Sequence, residues 1–361
     1  MSNSGSKKFN KWVAAVLMAI LVLLLLSAAL TVIIDSVFHY HAPLDGLAYP
    51  LGELKTQRYI NDGILRHFDY DAVIAGNSMI DNFKTSEADL LFDADFVKVP
   101  ADGAYFKEVN DQLSRAFSYN DSIRYVIRAI DLYCLCFDKD AYNSDADIPD
   151  YLYNDTVFDD VYYVFNKDIL VSSLKVLLYT AKGNDPESFD EYASWDAECG
   201  KNVVLWQYQI SDRVDKQFSL SDDERKTVEA STEQNLLSLP TAHPETTFIY
   251  FFAPFSISYW DEMDSYGYVE LRLEAIELIS KMMLKYPNIK LYMFINDFDT
   301  VSNLDYYRDQ AHYDADISSL LLEYMANGDY LVTEDNLDTL MTEARDFYLN
   351  YDYEALHDME S

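Results

Sequence analysis

Residues that together could carry out acyl transfer lie at three separate points of the sequence: Gly76-Asn77-Ser78, Gly103, and the pair Asp309 and His312. A serine hydroxyl becomes nucleophilic when a base removes its proton, and an imidazole titrates near neutrality. The carboxylate of Asp309 could accept the other ring N–H of His312 and stabilise the imidazolium that forms. The backbone N–H groups of Ser78 and Gly103, with the side chain of Asn77, could bind the developing oxyanion.

Each of these groups also has a simpler interpretation. A Gly-Asn-Ser triplet is more often a turn than a nucleophile, and Gly103 beside an aspartate is most simply a turn as well. Asp297 ends a predicted strand, but Asp309 is nearer to His312, so we interpret Asp297 as a loop residue or one that supports the site. The other histidines have no comparable setting, and we interpret them as surface or juxtamembrane residues: His39, His41, His67, His243 and His357.

The elements that must position these residues alternate between strands and helices. Apolar, β-branched runs predict strands at 70–75, 96–99, 123–133, 248–252 and 289–295. Amphipathic runs predict helices at 85–92, 104–117, 269–286, 316–326 and, in the tail, 333–357. This order predicts an α/β fold with a mainly parallel sheet, covered on both faces. Ligands bind at the carboxyl ends of such strands, where the three groups would meet.

Gly76-Asn77-Ser78 after a strand, Gly103 after the next strand, and Asp309-x-x-His312 near the C-terminus resemble the SGNH (GDSL-like) hydrolases. The resemblance covers about residues 68–330. It implies a three-layer α/β/α fold and an esterase, lipase, deacetylase or O-acyltransferase activity without metal or organic cofactor. It also implies Ser78 as nucleophile, Asp309 and His312 as its partners, and Gly103 as an oxyanion donor.

Two features depart from the family pattern. The nucleophile motif reads Gly-Asn-Ser rather than Gly-Asp-Ser, and no Gly-x-Asn-Asp block supplies the usual oxyanion asparagine. The strand end at 252–258 offers Ser256 and Ser258 instead, and either could contribute to substrate or oxyanion binding. Otherwise that donor is absent, which leaves open transfer to a sugar or loss of activity.

A 22-residue run without charge, residues 13–34, is long enough to cross a membrane as a helix. Lys7, Lys8 and Lys11 precede it and Asp35 follows it, which predicts a cytoplasmic N-terminus and an extracytoplasmic remainder. A signal peptide cleaved near Ser27 is the alternative, but the apolar run continues beyond that point. With one anchor and a large insertion, the chain resembles the extracytoplasmic SGNH members that act beside membrane-bound O-acyltransferases on cell-envelope glycans.

The chain is strongly acidic, with 62 acidic and 27 basic residues and a formal net charge of −35. Three of the basic residues precede the apolar run, so the remainder is more acidic still. This balance argues against a nucleic-acid partner and against a polybasic contact with a membrane surface. It favours a neutral substrate, such as an acylated envelope glycan or a similar ester.

The expected organisation is a cytoplasmic stub and anchor at 1–35, a juxtamembrane linker at 36–67 and an extracytoplasmic domain at 68–361. A largely helical insertion occupies 138–245 near the edge of the sheet. Its aspartate-rich start lacks the glycine and terminal glutamate of a calcium-binding loop. Cys134 and Cys136 fall in a predicted strand, and a bridge from one of them to Cys199 stays open. Their spacing does not match a zinc site.

Three hypotheses about function follow. The first is a membrane-anchored serine esterase or O-acyltransferase that acts on acyl groups of cell-envelope polysaccharide. Acetyl is the expected acyl group. The second is a catalytically weak SGNH-like module that binds glycan or a partner membrane acyltransferase. The third is a structural anchor protein, which predicts that Ser78, Asp309 and His312 lie far apart.

Overall fold

A computed structural model describes residues 3–54, 57–154, 156–207 and 213–357. In these ranges the strands are β1 (Ala72–Gly76), β2 (Phe96–Pro100), β3 (Tyr125–Ile130), β4 (Thr247–Phe252) and β5 (Ile289–Met293). The first helices are α1 (Asn3–Ile34), α2 (Gln57–His67), α3 (Thr85–Phe92), α4 (Phe106–Tyr119), α5 (Val161–Val164), α6 (Lys167–Ala181) and α7 (Lys201–Gln207). The others are α8 (Asp222–Thr232), α9 (Ser238–Ala242), α10 (Ile257–Ser265), α11 (Val269–Met283), α12 (Phe298–Ser302), α13 (Ala315–Asn327), α14 (Leu337–Asn350) and α15 (Glu354–His357).

This part of the chain divides into two compact units. The N-terminal unit comprises Met1–Phe68 and Asp147–Ser188, and the sheet unit comprises Asp69–Ala146 and Phe189–Ser361. Residues 147–188 of the predicted insertion therefore group with the N-terminal residues, whereas residues 138–146 and 189–245 group with the sheet. The domain boundaries that we expect from the sequence stay a prediction.

In the described residues of the sheet unit, five parallel strands form one sheet in the order β2-β1-β3-β4-β5. The α/β class and the parallel sheet predicted from the sequence are thereby confirmed. Every residue of β1 and β2 is buried, as expected for strands covered on both sides.

Two buried cations show that both faces of the sheet are covered. Lys98 aligns with Ile74 and Arg128 with the next residue of β1, so their side chains point to opposite faces. The Lys98 ammonium donates to the backbone carbonyls of Asp81 and Phe83. The Arg128 guanidinium donates to the carbonyl of Asn235 at 2.7 Å and to that of Phe106 at 2.9 Å.

Several predicted element boundaries differ from the structure. The strand predicted at 123–133 ends at Ile130, so Cys134 and Cys136 lie in turns beyond it rather than in a strand. The single tail helix predicted at 333–357 is two helices, α14 and α15, separated at Tyr351 by extended backbone. The helix predicted at 85–92 matches α3 in both of its bounds.

In the N-terminal unit, α1 ends at a turn held by one buried carboxylate. Asp35 adopts a positive φ of 45° and accepts the backbone N–H groups of residues 39–41. Residues 36–67, predicted as a linker, pack within this unit: Phe38 and Tyr49 are buried, and a Cβ at Gly63 would clash with the carbonyl of Val37.

Candidate active site

Ser78 lies at the carboxyl end of β1, which pairs with β2 on one side and β3 on the other. The strand ends at Gly76, and Asn77 caps the short 3-10 turn that begins at Ser78. The Asn77 side-chain oxygen accepts the Met79 N–H at 3.2 Å. Asn77 and Met79 are buried while Ser78 is partly exposed, so the turn presents its hydroxyl at the rim of the sheet.

His312 approaches this turn from the loop that precedes α13. The loop closes on itself through an antiparallel bridge between Tyr307 and Tyr313. The Tyr313 hydroxyl then donates to the carbonyl of Met79 at 2.9 Å, which fastens the loop to the turn next to the serine. As a result Ser78 Oγ lies 2.7 Å from His312 Nε2.

Asp309 holds the other side of the imidazole. His312 Nδ1 lies 2.9 Å from Asp309 Oδ1 and 2.8 Å from Oδ2. Oδ1 also accepts the backbone N–H groups of Ala311 and His312, at 2.9 and 2.8 Å. An ionised carboxylate only accepts hydrogen bonds, so Nδ1 must carry the proton in the neutral ring. Nε2 is then free to accept the Ser78 proton, which is the tautomer that a general base needs.

The charge on Asp309 is stabilised by these contacts. Burial by itself raises the pKa of this carboxyl, but the hydrogen bonds from His312 and Ala311 outweigh burial and lower the pKa below its ordinary value. The Arg308 guanidinium, 3.6 Å from Asp309 Oδ2, adds a cation. Asp309 therefore stays ionised beside the imidazole at neutral pH.

Two backbone N–H groups are available as donors to an oxyanion. No described residue accepts a hydrogen bond from the N–H of Ser78 or from that of Gly103. Gly103 follows β2, whose last residue aligns with Gly76. Its φ of +64° favours glycine, and a Cβ would lie 2.8 Å from Asn143 Nδ2, which already donates to the Gly103 carbonyl.

Asn77 is used differently from our prediction. Its amide nitrogen donates to the carboxylate of Asp131 and its oxygen accepts from Met79, so the side chain braces the turn. Asp131 is the first residue after β3 and was missed because the sequence predicted a strand through Tyr133. Burial raises the pKa of Asp131, although the Tyr133 N–H and Asn77 partly offset this effect. A polar residue directly after an apolar strand was the signal that could have identified it.

Ser256 and Ser258, expected as substrate-binding or oxyanion residues, do not face the site. Both side chains are fully buried, and their hydroxyls lie 2.6 Å apart. The Ser256 hydroxyl donates to the carbonyl of Gln310 at 2.9 Å, and its backbone N–H donates to the same carbonyl at 3.0 Å. This expectation needs correction: Ser256 fixes the chain between Asp309 and His312, and neither hydroxyl is open to a substrate.

A narrow recess opens beside Ser78 and His312. Trp195, from the second half of the insertion, forms one wall and meets the imidazole edge to face, with 6.3 Å between ring centroids. Arg308 lies over the Trp195 ring at 4.7 Å, and the backbone N–H of Trp195 donates to the side-chain oxygen of Asn82 at 2.9 Å. Sequence reasoning missed Trp195, because no local pattern connects an insertion to a strand end.

The contacts of the other residues singled out in the sequence do not include Ser78 or His312. Asp297 caps α12 by accepting from the backbone N–H and hydroxyl of Thr300. All three cysteines are free thiols, so no bridge to Cys199 forms. Throughout the described ranges, no group of three or more His, Cys, Asp and Glu side chains could hold a metal ion. His39, which we interpreted as exposed or juxtamembrane, is buried and paired with Asp160 at 3.2 Å.

Comparisons with known proteins add little. No protein family model matches the chain, and no curated protein matches it. One similar solved structure is that of a proposed platelet activating factor from Streptococcus pneumonia, with 10% sequence identity and a TM-score of 0.36. The match covers 76% of this chain and 90% of that chain. A likeness at this level assigns neither family nor function, so the geometry of the site must carry the functional argument.

Proposed function

We propose that the chain is a membrane-anchored, extracytoplasmic serine esterase or O-acyltransferase. In this proposal Ser78 is the nucleophile and His312 is the general base and acid. Asp309 orients the imidazole and stabilises the imidazolium that forms. The observation that carries it is the contact of Ser78 Oγ with His312 Nε2 at 2.7 Å, with Asp309 behind the ring. Ser78 is separated from Asp309 and His312 by more than 200 positions, so local chain geometry does not account for their convergence.

The reaction would proceed in two steps. His312 Nε2 accepts the Ser78 proton while Oγ attacks the ester carbonyl, and the resulting oxyanion binds to the N–H groups of Ser78 and Gly103. His312 then returns the proton to the departing alcohol, which leaves an acyl-Ser78 ester. Water or a sugar hydroxyl attacks this ester by the same route, and Ser78 regains its proton.

The substrate class follows from charge and from the anchor. The net charge of −35 would repel polyanions and suits a neutral acylated glycan of the cell envelope. In α1, residues Lys7–Ile34 are long and apolar enough to span a membrane. With the lysines on the cytoplasmic side, the site would face the envelope. The expected acyl group is a small one such as acetyl, and a membrane-bound O-acyltransferase is the proposed donor partner.

The decisive experiment replaces Ser78 with alanine and measures hydrolysis of an aryl acetate. Without a nucleophile, kcat should fall by at least about 10³-fold, as loss of a triad serine does elsewhere. Ser319→Ala is the matched control, because the Ser319 hydroxyl bonds only to the helix carbonyl of Ala315. Equal activity of Ser78→Ala and the parent, with both folded by circular dichroism, would refute the proposal.

A second candidate is a glycan- or partner-binding module without turnover. The observation that favours it is Asp131: a hydrogen-bond acceptor, not an amide donor, occupies the strand end nearest to Asn77. A serine-reactive fluorophosphonate separates the two candidates. Labelling that disappears in Ser78→Ala supports the enzyme, whereas an unlabelled parent that still binds acylated glycan supports the binding module.

A further inference from the structure

The N-terminal unit exposes large apolar side chains around α5. The most exposed are Phe158 at 90% and Val157 at 73%, and they continue into Val161, Tyr162 and Phe165. Soluble surfaces rarely collect so many large apolar side chains in a short segment. Contact with an apolar environment outside the unit would remove these side chains from water.

Helix α6 continues this exposed surface. Val171, Leu174 and Leu178 are exposed and recur at intervals of three and four residues, which places them on one side of the helix. The other side is buried within the unit through residues such as Ile169 and Val176. We call the exposed residues of these two paragraphs the α5–α6 apolar face.

Both helices pack against α1, which is covered only toward its C-terminal end. Residues 14–26 of α1 are exposed, whereas partial covering starts at Ser27 and Thr31 is fully buried. On the other side of α5, the buried Tyr163 hydroxyl donates to Asp35, the first residue after α1. The α5–α6 apolar face therefore lies level with the last two turns of α1.

The length of α1 relates this level to the thickness of a membrane. A span that starts at Val13 uses the roughly 20 residues of the hydrocarbon core by about Val32. The unit already covers α1 from Ser27, five residues before Val32, which is about 7.5 Å along a helix that rises 1.5 Å per residue. Interfacial helices bury their apolar side by roughly 5–10 Å, so the two depths agree.

The local charge also differs from that of the chain. Residues 157–182 carry three lysines and three acids, whereas acids outnumber bases by 62 to 27 overall; the lysines are Lys167, Lys175 and Lys182, and the acids are Asp159, Asp160 and Asp168. Lysines at the border of an apolar side are typical of helices that lie in the headgroup region.

We propose that the α5–α6 apolar face lies in the outer headgroup and upper acyl region of the membrane that α1 spans. The chain would then hold its N-terminal unit against the bilayer by two contacts, a spanning helix and an interfacial surface. This inference rests on the proposed anchor and its orientation, and it is independent of the chemistry proposed for Ser78.

The test places an environment-sensitive fluorophore at single cysteines in the full chain, reconstituted in phosphatidylcholine–phosphatidylglycerol vesicles. The three native cysteines are replaced by alanine, and thermal unfolding checks each variant. Leu174→Cys and Leu178→Cys report on the face. Leu24→Cys in α1 is the control for the bilayer core, and Leu90→Cys, 87% exposed, is the control for water once a water-soluble quencher shows that it stays open to solvent in the vesicles.

Lipids carrying a spin label near the headgroup should quench most of the fluorescence at positions 174 and 178, and lipids labelled deep in the acyl chain should quench position 24; both should leave position 90 unaffected. If positions 174 and 178 behave like position 90 while position 24 is quenched, the inference is overturned and the anchor stands. Quenching between labelled copies, without quenching by lipid, would assign the face to self-association and overturn it as well. No quenching at position 24 would overturn the anchor together with this inference, but not the chemistry at Ser78.

Discussion

Replacing Asp309 with asparagine is a perturbation whose result the geometry largely determines. Asp309 Oδ1 accepts two backbone N–H groups, from Ala311 and His312, so the asparagine oxygen must take that position. The new NH₂ group then occupies the Oδ2 position, 2.8 Å from His312 Nδ1. Since NH₂ only donates, it favours an Nδ1 that accepts and a ring proton on Nε2, in competition with the asparagine oxygen, whose position is 2.9 Å from Nδ1.

The magnitude follows from the wrong tautomer. An Nε2–H group donates to Ser78 Oγ and cannot remove its proton, although the side chains keep their places. The corresponding exchange in serine proteases lowers kcat by about 10⁴-fold, equivalent to about 5.4 kcal/mol of barrier. KM should change little, because Asp309 lies behind the imidazole and does not reach the recess.

The assay is steady-state hydrolysis of an aryl acetate together with the rate of fluorophosphonate labelling. Asp305→Asn is the matched control: the same atoms change on the same stretch of chain, but Asp305 accepts only the Lys201 N–H. If Asp309→Asn keeps kcat within about tenfold of the parent, the orienting role inferred from the tautomer is refuted. A parallel loss in the control would show that the loop, not the proton, is responsible.

Three further predictions concern other parts of the sheet unit. Burial lowers the pKa of Lys98 to about 8, so between about pH 8 and 10 the native state binds fewer protons than the unfolded state. In this pH range the free energy of unfolding of the parent, measured by chemical unfolding, should rise relative to that of Lys98→Met by about 1.4 kcal/mol per pH unit. A difference between the two proteins that does not change with pH would contradict this prediction. Gly103→Ala should lose about 1–3 kcal/mol of stability and lower kcat more than it raises KM, because a side chain at φ +64° is strained and shifts the backbone N–H; unchanged kinetics would remove Gly103 from the oxyanion site. Trp195→Ala should reduce kcat/KM by up to about tenfold through loss of the edge-to-face contact with His312, and Trp195→Phe should restore most of it; equal losses in both variants would show that the indole acts otherwise.

The sheet was predictable because its strands are short apolar runs bounded by turn residues. The strand predicted at 248–252 is β4 without its first residue, and α13 ends at Gly328, whose φ of +81° provides the left-handed cap. Local sequence determines these features directly. The parallel direction of the strands followed from their alternation with helices, since parallel neighbours need a crossover between them.

What escaped prediction depends on contacts between distant segments. Leu132 and Tyr133 resume the apolar run after Ile130, so Asp131 is the single local mark of the end of β3. Ser256 has the residue type of a ligand-binding group, but its burial under Gln310 is set by the fold. Trp195 belongs to an insertion whose position no periodicity specifies. These side chains are chosen by tertiary packing, which sequence pattern alone does not encode.

The meeting of Ser78 and His312 still needs a physical cause, because their strands are not neighbours. The chain leaves β5 at Met293, and β5 stands three strand spacings from β1, about 14 Å across the sheet. A free loop of that reach would rarely hold an imidazole to hydrogen-bond distance. This loop is fixed at intervals: the Tyr307 hydroxyl binds the carbonyl of Pro254 after β4, Ser256 binds Gln310, and the Tyr313 hydroxyl binds Met79 after β1. The fixed points follow the carboxyl ends of β4 and β1 in turn, so the sheet rim itself guides the loop. The hydroxyls of buried tyrosine and serine residues, rather than the catalytic candidates themselves, thus position the His312 imidazole beside Ser78.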